Sequence, residues 1–217
     1  MGKTSKRAQQ VSLTKVKPKG KDHKNKQIKQ VSAYIEIYPT IFAFQYQNFK
    51  TFPLQKLRES FTTSRFLLGK GKVLQKALGQ HKDLVNIEKF NKYLRGSCGL
   101  LFTKEPIESI IEFFITWRET VSLLAGQTAT ETIVIPPGVG VFDKFSNTIE
   151  PYLRTIGLPT RVHEGKIEML AEYHVCTAGE VVGVEKAKIL KLLNIQQGEM
   201  RIVLQAVWQG GNFKDLV

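Results

Sequence analysis

Between residues 66 and 79 the chain reads Phe-Leu-Leu-Gly-Lys-Gly-Lys-Val-Leu-Gln-Lys-Ala-Leu-Gly, and this stretch narrows its folding choices sharply. Phe66 to Leu68 is too short for a helix and reads as a buried strand. Gly69-Lys70-Gly71-Lys72 then turns the chain. Val73, Leu74, Ala77 and Leu78 follow at helical spacing, with Lys72 and Lys76 one turn apart. A strand, a glycine turn and a basic helix in succession aim backbone N–H groups and ammonium groups at one point beyond a strand end. Such a point attracts phosphate.

The charge of the chain is segregated in the same sense. The net charge is +13, but residues 1–30 balance to +9, residues 31–55 to zero, residues 56–104 to +8 and residues 105–217 to −4. A charge that served only solubility would be spread out; this one points to a polyanion on one side of the molecule. At 217 residues and 42% hydrophobic, the chain can bury one good core with a small satellite. No apolar run approaches the roughly 20 residues of a membrane helix, and no apolar segment follows the basic N-terminus as in a secretory signal. Cys98 and Cys176 lack metal or redox spacing and read as buried free thiols.

Periodicity divides the chain into an α/β fold. Residues 1–20 carry Lys3, Lys6, Arg7, Lys15, Lys17 and Lys19 among small polar residues and are expected to be a disordered basic tail when free. A helix is expected over 22–37, a strand over Ile41 to Tyr46, a helix from Pro53, the strand and helix described above, a helix over Leu84 to Leu94, a strand over Gly99 to Thr103 and an apolar helix over Pro106 to Trp117. Small polar residues from Ala125 to Thr132 read as a linker. Beyond it come Ile133 to Ile135, a helix over Asp143 to Ile156, and strands at Thr160 to His163, Lys166 to Leu170 and Tyr173 to Cys176, with Glu164-Gly165 as a hairpin turn. Val184 to Leu193 returns to helix, and Arg201 to Trp208 is the last expected strand. The expectation is a mixed sheet flanked by helices, built from 21–125 and 184–217, with 126–183 as a small inserted α+β domain.

The residue chemistry favours binding over catalysis. The phosphate-loop pattern of nucleotide hydrolases is absent, and Val73 stands where a magnesium-binding hydroxyl is required. His174 and Cys176 share a strand face, but no orienting group or oxyanion turn accompanies them. No enzyme activity, metal or cofactor is expected. The expected nucleic-acid contacts are Lys21, Lys24, Arg58, Arg65, Lys70, Gly71, Lys72, Lys76 and Arg95, with the basic residues of the tail. Phe42, Phe44 and Tyr46 alternate on one strand face and read as core. Phe49, in the following loop, is the better candidate for stacking on a base. The turn Pro136-Pro137-Gly138 and the residues to Phe142 read as structural, with protein contact as the functional alternative.

Several of these segments together resemble a known family. Gly69-Lys70-Gly71-Lys72-Val73, Leu94-Arg95-Gly96, Gly99-Leu100-Leu101-Phe102-Thr103, Glu164-Gly165-Lys166-Ile167-Glu168 and the run Leu190 to Ile195 resemble the stalk-base protein of the large ribosomal subunit, P-zero in eukaryotes. The N-terminal Ser5-Lys6-Arg7, Val11-Ser12-Leu13-Thr14-Lys15 and Lys19-Gly20 are similar to its nuclear paralogue, the mRNA turnover protein 4 family. The chain runs only to Val217, without the helices by which P-zero seats acidic stalk dimers. The resemblance thus implies a nuclear and nucleolar ribosome assembly factor, with a transient cytoplasmic stage on exported particles left open. Such a factor occupies the stalk-base site on nascent large-subunit rRNA until P-zero replaces it. Its implied partners are pre-ribosomal rRNA, neighbouring ribosomal proteins and assembly factors, and a release factor, with neither stalk dimers nor a membrane. A truncated P-zero is the alternative within the family, and a nucleotide or RNA hydrolase the alternative outside it. The family commonly carries Asn at the position of Gly71, so a contact through that amide is not expected here.

Overall fold

The structure is a computed structural model that describes residues 20–81 and 84–216. The tail expected over residues 1–20 thus lies, but for Gly20, outside the described residues. The chain order is α1 (Lys21–Ile37), β1 (Thr40–Gln47), α2 (Thr51–Ser60), β2 (Arg65–Leu68), α3 (Gly71–Leu78), a 3-10 helix (Ile87–Lys92), β3 (Cys98–Thr103), α4 (Ile107–Thr116) and β4 (Glu119–Val121). It continues through β5 (Ile133–Ile135), β6 (Gly138–Val139), a 3-10 helix (Asn147–Ile149), α5 (Glu150–Thr155), β7 (Thr160–His163), β8 (Lys166–Met169) and β9 (Tyr173–Cys176). It closes with α6 (Val184–Leu192), β10 (Gly198–Gln209) and β11 (Asn212–Asp215).

The main sheet runs β11-β10-β1-β3-β2, with β4 beside the start of β10. Strand alternation sends its side chains to two cores. Ile41, Ala43, Leu67, Leu100 and Phe102 meet Val31 of α1 and Leu74, Ala77 and Leu78 of α3 on one face. Phe42, Phe44, Phe66 and Leu101 meet Leu54 and Leu57 of α2 and Ile110 and Phe114 of α4 on the other. A bulge between Ala43 and Phe44 in the pairing with β10 absorbs Gln205. It shifts the alternation, so Met200, Ile202, Leu204 and Val207 share one face while Ala206 and Trp208 take the other. The α/β class is as the residues suggest. The sheet, expected to be mixed in direction, pairs antiparallel throughout among the described strands. The reason is topological: β1 and β2 run the same way, but β3 lies between them and against both.

A separate core holds Phe142, Leu153, Ile156, Leu158, Ile167, Met169 and Val175. Its strands form a β6-β8-β7 sheet and a β5-β9 pair. Glu164 and Gly165 close the β7-β8 hairpin with φ of +48° and +76°, the doubly left-handed turn such a two-residue loop demands. Ile189 and Leu190 of α6 are buried in this smaller core. The expected assignment of 184–192 to the larger body is therefore corrected, because the apolar side of this helix packs the other way.

Other local expectations are also corrected. The helix expected over Leu84 to Leu94 shrinks to a 3-10 helix at Ile87–Lys92. Trp208 Nε1 donates to Val85 O at 2.9 Å and Asn86 Nδ2 to Gly211 O at 3.0 Å, holding Asn86 at φ +67° and breaking the helix. The inward positions Ile87, Phe90 and Leu94 are nonetheless buried. The helix expected over Asp143 to Ile156 begins only at Asn147, where the Ser146 side chain accepts a hydrogen bond from Thr148 N. Three strands escape the sequence reading, β4, β6 and β11. The last follows β10 through Gly210 and Gly211, both at positive φ.

Candidate nucleic-acid interface

Strand register decides which loops meet. Gln45 of β1 pairs with Cys98 at the start of β3, Leu68 at the end of β2 pairs with Gly99, and Gln47 pairs with Arg201 near the start of β10. The segments 48–50, 69–70 and 95–97 consequently leave the sheet at the same end. Gln27 Nε2 of α1 donates to Leu68 O at 3.3 Å, so the first turns of α1 stand beside Gly69. Further along, Lys76 of α3 and Gln80 just beyond its end share a groove with Asn25 and Lys29 of α1, and His81 Nε2 lies 2.9 Å from Ser32 Oγ. The two helices therefore run alongside each other in the same direction, and both N-termini point to the sheet end that bears these loops.

Lys21 and Lys24 at the start of α1, Lys70 and Lys72 at the start of α3, and Arg95 in the neighbouring loop are all exposed at this end. None makes an ion pair with a described residue. Several cations of the inserted unit and α6 are, in contrast, neutralised locally, as in Arg154–Glu150, Arg161–Glu168 and Lys186–Glu180. The Arg161 guanidinium bonded to Glu168 holds that carboxyl below its ordinary range, so the pair stays charged at neutral pH. The sheet end thus combines uncompensated ammonium and guanidinium groups with the positive ends of two helix dipoles. It can hold phosphate oxygens.

Gly71 explains how α3 reaches this position. It is helical without a positive φ, and its value is closeness: a Cβ there would stand 2.2 Å from Leu94 O and 3.0 Å from the Leu94 carbonyl carbon. Only glycine lets the first turn of α3 lie against the loop that carries Arg95. Gln75, one turn on, fastens the same contact by donating Nε2 to Asn91 O at 2.9 Å and to Leu94 O at 3.1 Å. Gln75→Leu is expected to lower the free energy of urea unfolding by about 1–2 kcal/mol, since it strands a partly buried carbonyl. An unchanged midpoint would show that these two bonds contribute nothing net. Gly99 has a similar steric role in β3, because the Phe44 ring lies over it, 2.5 Å from where a Cβ would be.

The other expected contacts fall elsewhere. Arg65 opens β2 and pairs with Phe102, so it sits at the far end of that strand, about 10 Å from Leu68 at the rise of an extended chain. Its Nη1 donates to Thr62 O at 3.0 Å and Ser64 O at 3.1 Å. Arg58 donates Nη2 to Phe66 O at 3.1 Å. Both arginines brace the edge strand and do not join the cluster. Lys76 faces the groove shared with α1, on the flank of the cluster. Phe49 lies at the correct end, but its ring is 5.2 Å from that of Tyr46 and packs on the core beneath. Lys3, Lys6, Arg7, Lys15, Lys17 and Lys19 lie outside the described residues. Sequence reasoning passed over Lys26, Lys29 and Gln75; the i, i+3 spacing of the two lysines on an evident helix is the signal that could have found them. His174 is exposed and lies 3.1 Å from Glu172, while Cys176 is buried with Sγ toward Glu131 O, so the two are not a nucleophile and its base.

Two family models match the chain. One is "Ribosomal protein L10", over residues 19–118; the other is the insertion domain of the 60S ribosomal protein of that same family, over residues 124–195. The sheet body with its basic end, and the smaller unit with its own core, are therefore those of a ribosomal L10-type protein. Among individual proteins, the chain is similar to the ribosome assembly factor mrt4 of Dictyostelium discoideum, 34% identical over 214 residues that cover 96% of this chain and 94% of that protein. It is similar to the ribosome assembly factor MRT4 of Saccharomyces cerevisiae, 30% identical over 219 residues covering 94% and 92%. Large ribosomal subunit protein uL10 of Saccharomyces cerevisiae is 28% identical over 185 residues, covering 82% of this chain and 57% of that protein. The chain belongs to the Mrt4 family of ribosome assembly factors, paralogous to uL10.

Proposed function

We propose that this chain assists assembly of the large ribosomal subunit by binding the stalk-base region of nascent rRNA in nucleolar pre-ribosomal particles, where it holds the site until P-zero takes it. The observation that carries the reading is the convergence of Lys21, Lys24, Lys70, Lys72 and Arg95, without ion-pair partners among the described residues, at the sheet end where α1 and α3 begin. Cations of this kind take phosphates and fix the register of the protein on its RNA, while folded RNA shape supplies selectivity. The basic residues of the first nineteen positions add affinity to the same polyanion. The inserted unit, with Val139, Val162, Val181 and Leu170 about half exposed or more, meets neighbouring assembly factors and ribosomal proteins and offers a handle for a release factor.

Competition tests this reading. With a labelled stalk-base rRNA fragment, this chain and P-zero are expected to displace each other in proportion to their affinities, because one RNA surface cannot receive both basic ends. A stable ternary complex of both proteins on one fragment would overturn it.

A further inference from the structure

We infer that the groove between α1 and α3 is a second RNA phosphate track, continuous with the sheet-end cluster. The inference rests on the rRNA-binding reading above. The groove has a volume of about 570 Å³. One wall carries Lys26 and Lys29, at i and i+3 on α1; the other carries Lys76 of α3 and Gln80 in the turn that follows it. Asn25 adds an amide donor to the first wall. Asp22 is the one acid in the lining, so the groove carries a surplus of two positive charges. None of its three lysines makes an ion pair with a described residue.

Chemistry and continuity decide the ligand. Charged donors and neutral amides from facing walls suit phosphate oxygens. Ile28, partly buried against the core, is the single apolar residue of the lining, so the groove offers an apolar molecule one side chain among polar ones. No aromatic ring among the lining residues is there to sandwich a base. Lys76 lies one turn beyond Lys72, and Lys26 follows Lys24, so the groove begins where the sheet-end cluster stops. A ligand that spans both is a chain of phosphates, not a free mononucleotide.

The test uses the full-length protein, the stalk-base rRNA fragment and a salt titration. Lys26→Ala with Lys29→Ala is expected to weaken binding by roughly tenfold or more, and to lower the slope of log K against log salt by about 1.4–1.8 for two lost phosphate contacts. Alanine favours a helix, so α1 is expected to survive; unchanged circular dichroism checks this. Lys26→Arg with Lys29→Arg is expected to keep both affinity and slope. Lys188→Ala with Lys191→Ala removes equal charge from α6 and is expected to leave the slope unchanged. An equal loss with that variant would reduce the effect to net charge and overturn the track. Wild-type binding by the Lys26/Lys29 alanine variant, beside a loss when Lys70, Lys72 and Arg95 are replaced, would overturn the track and leave the rRNA reading standing. Wild-type binding by both would overturn the two together.

Discussion

Replacing Lys70, Lys72 and Arg95 together by alanine is expected to weaken binding to the stalk-base rRNA by roughly 10²-fold or more at physiological salt, and to lower the salt slope by about 2.1–2.7 for three phosphate contacts. The size of the effect follows from the state of these side chains in the free protein. They are exposed and make no ion pair with a described residue, so their removal costs the fold little and the loss falls on binding. The paired alanine variant at Arg58 and Arg65 removes two positive charges from nearby sequence. Because those guanidiniums are occupied with the carbonyls of Phe66, Thr62 and Ser64, it is expected to change the slope far less. A filter-binding titration over several salt concentrations distinguishes the two. An unchanged slope in the triple variant would show that the phosphates bind elsewhere.

Gly71→Ala is expected to cost about 1–3 kcal/mol of stability and to lower Tm by several degrees. Two effects oppose each other. Alanine is better than glycine within a helix by up to about 1 kcal/mol. Against this, the added methyl would stand 2.2 Å from Leu94 O, well inside contact distance. The carbonyl has no easy retreat: Leu94 is buried, its oxygen accepts from Gln75, and the chain enters β3 four residues later. Steric cost therefore wins. The first turn of α3 must also shift relative to Arg95, so RNA affinity is expected to fall with stability. Thermal unfolding checks the first part; a raised Tm would mean that the 94–97 loop yields freely and that glycine is not required for closeness.

The central reading from periodicity survives because it rests on local rules. A three-residue apolar run followed by glycine became β2, and the stripe Leu74, Ala77, Leu78 became the buried side of α3. Where tertiary bonds competed, the local reading failed. Asn86 and Val85 are drawn to Gly211 and Trp208, more than a hundred residues away in sequence, and no helical pattern in 84–94 records that pull. The β11 hairpin was within reach, since Gly210-Gly211 is a two-residue turn that accepts positive φ at both positions. Its strand is only four residues long and too polar to stand out.

What the sequence determined by itself is the chemistry and the local units: an α/β chain, a basic first half, and a strand, turn and helix that present ammonium and backbone N–H groups. What only the tertiary structure decided is which cations lie together. That choice depends on β3 inserting between β1 and β2, and on α1 lying along α3 in the same direction. These arrangements gather Lys24, Lys70, Lys72 and Arg95, draw Lys26 and Lys29 into reach, and leave Arg65 at the opposite end of its strand. The physical reason is range. Helix and strand periods are set by neighbours a few residues apart, whereas sheet order and register are set by burial of whole faces and by hydrogen bonds between segments distant in sequence.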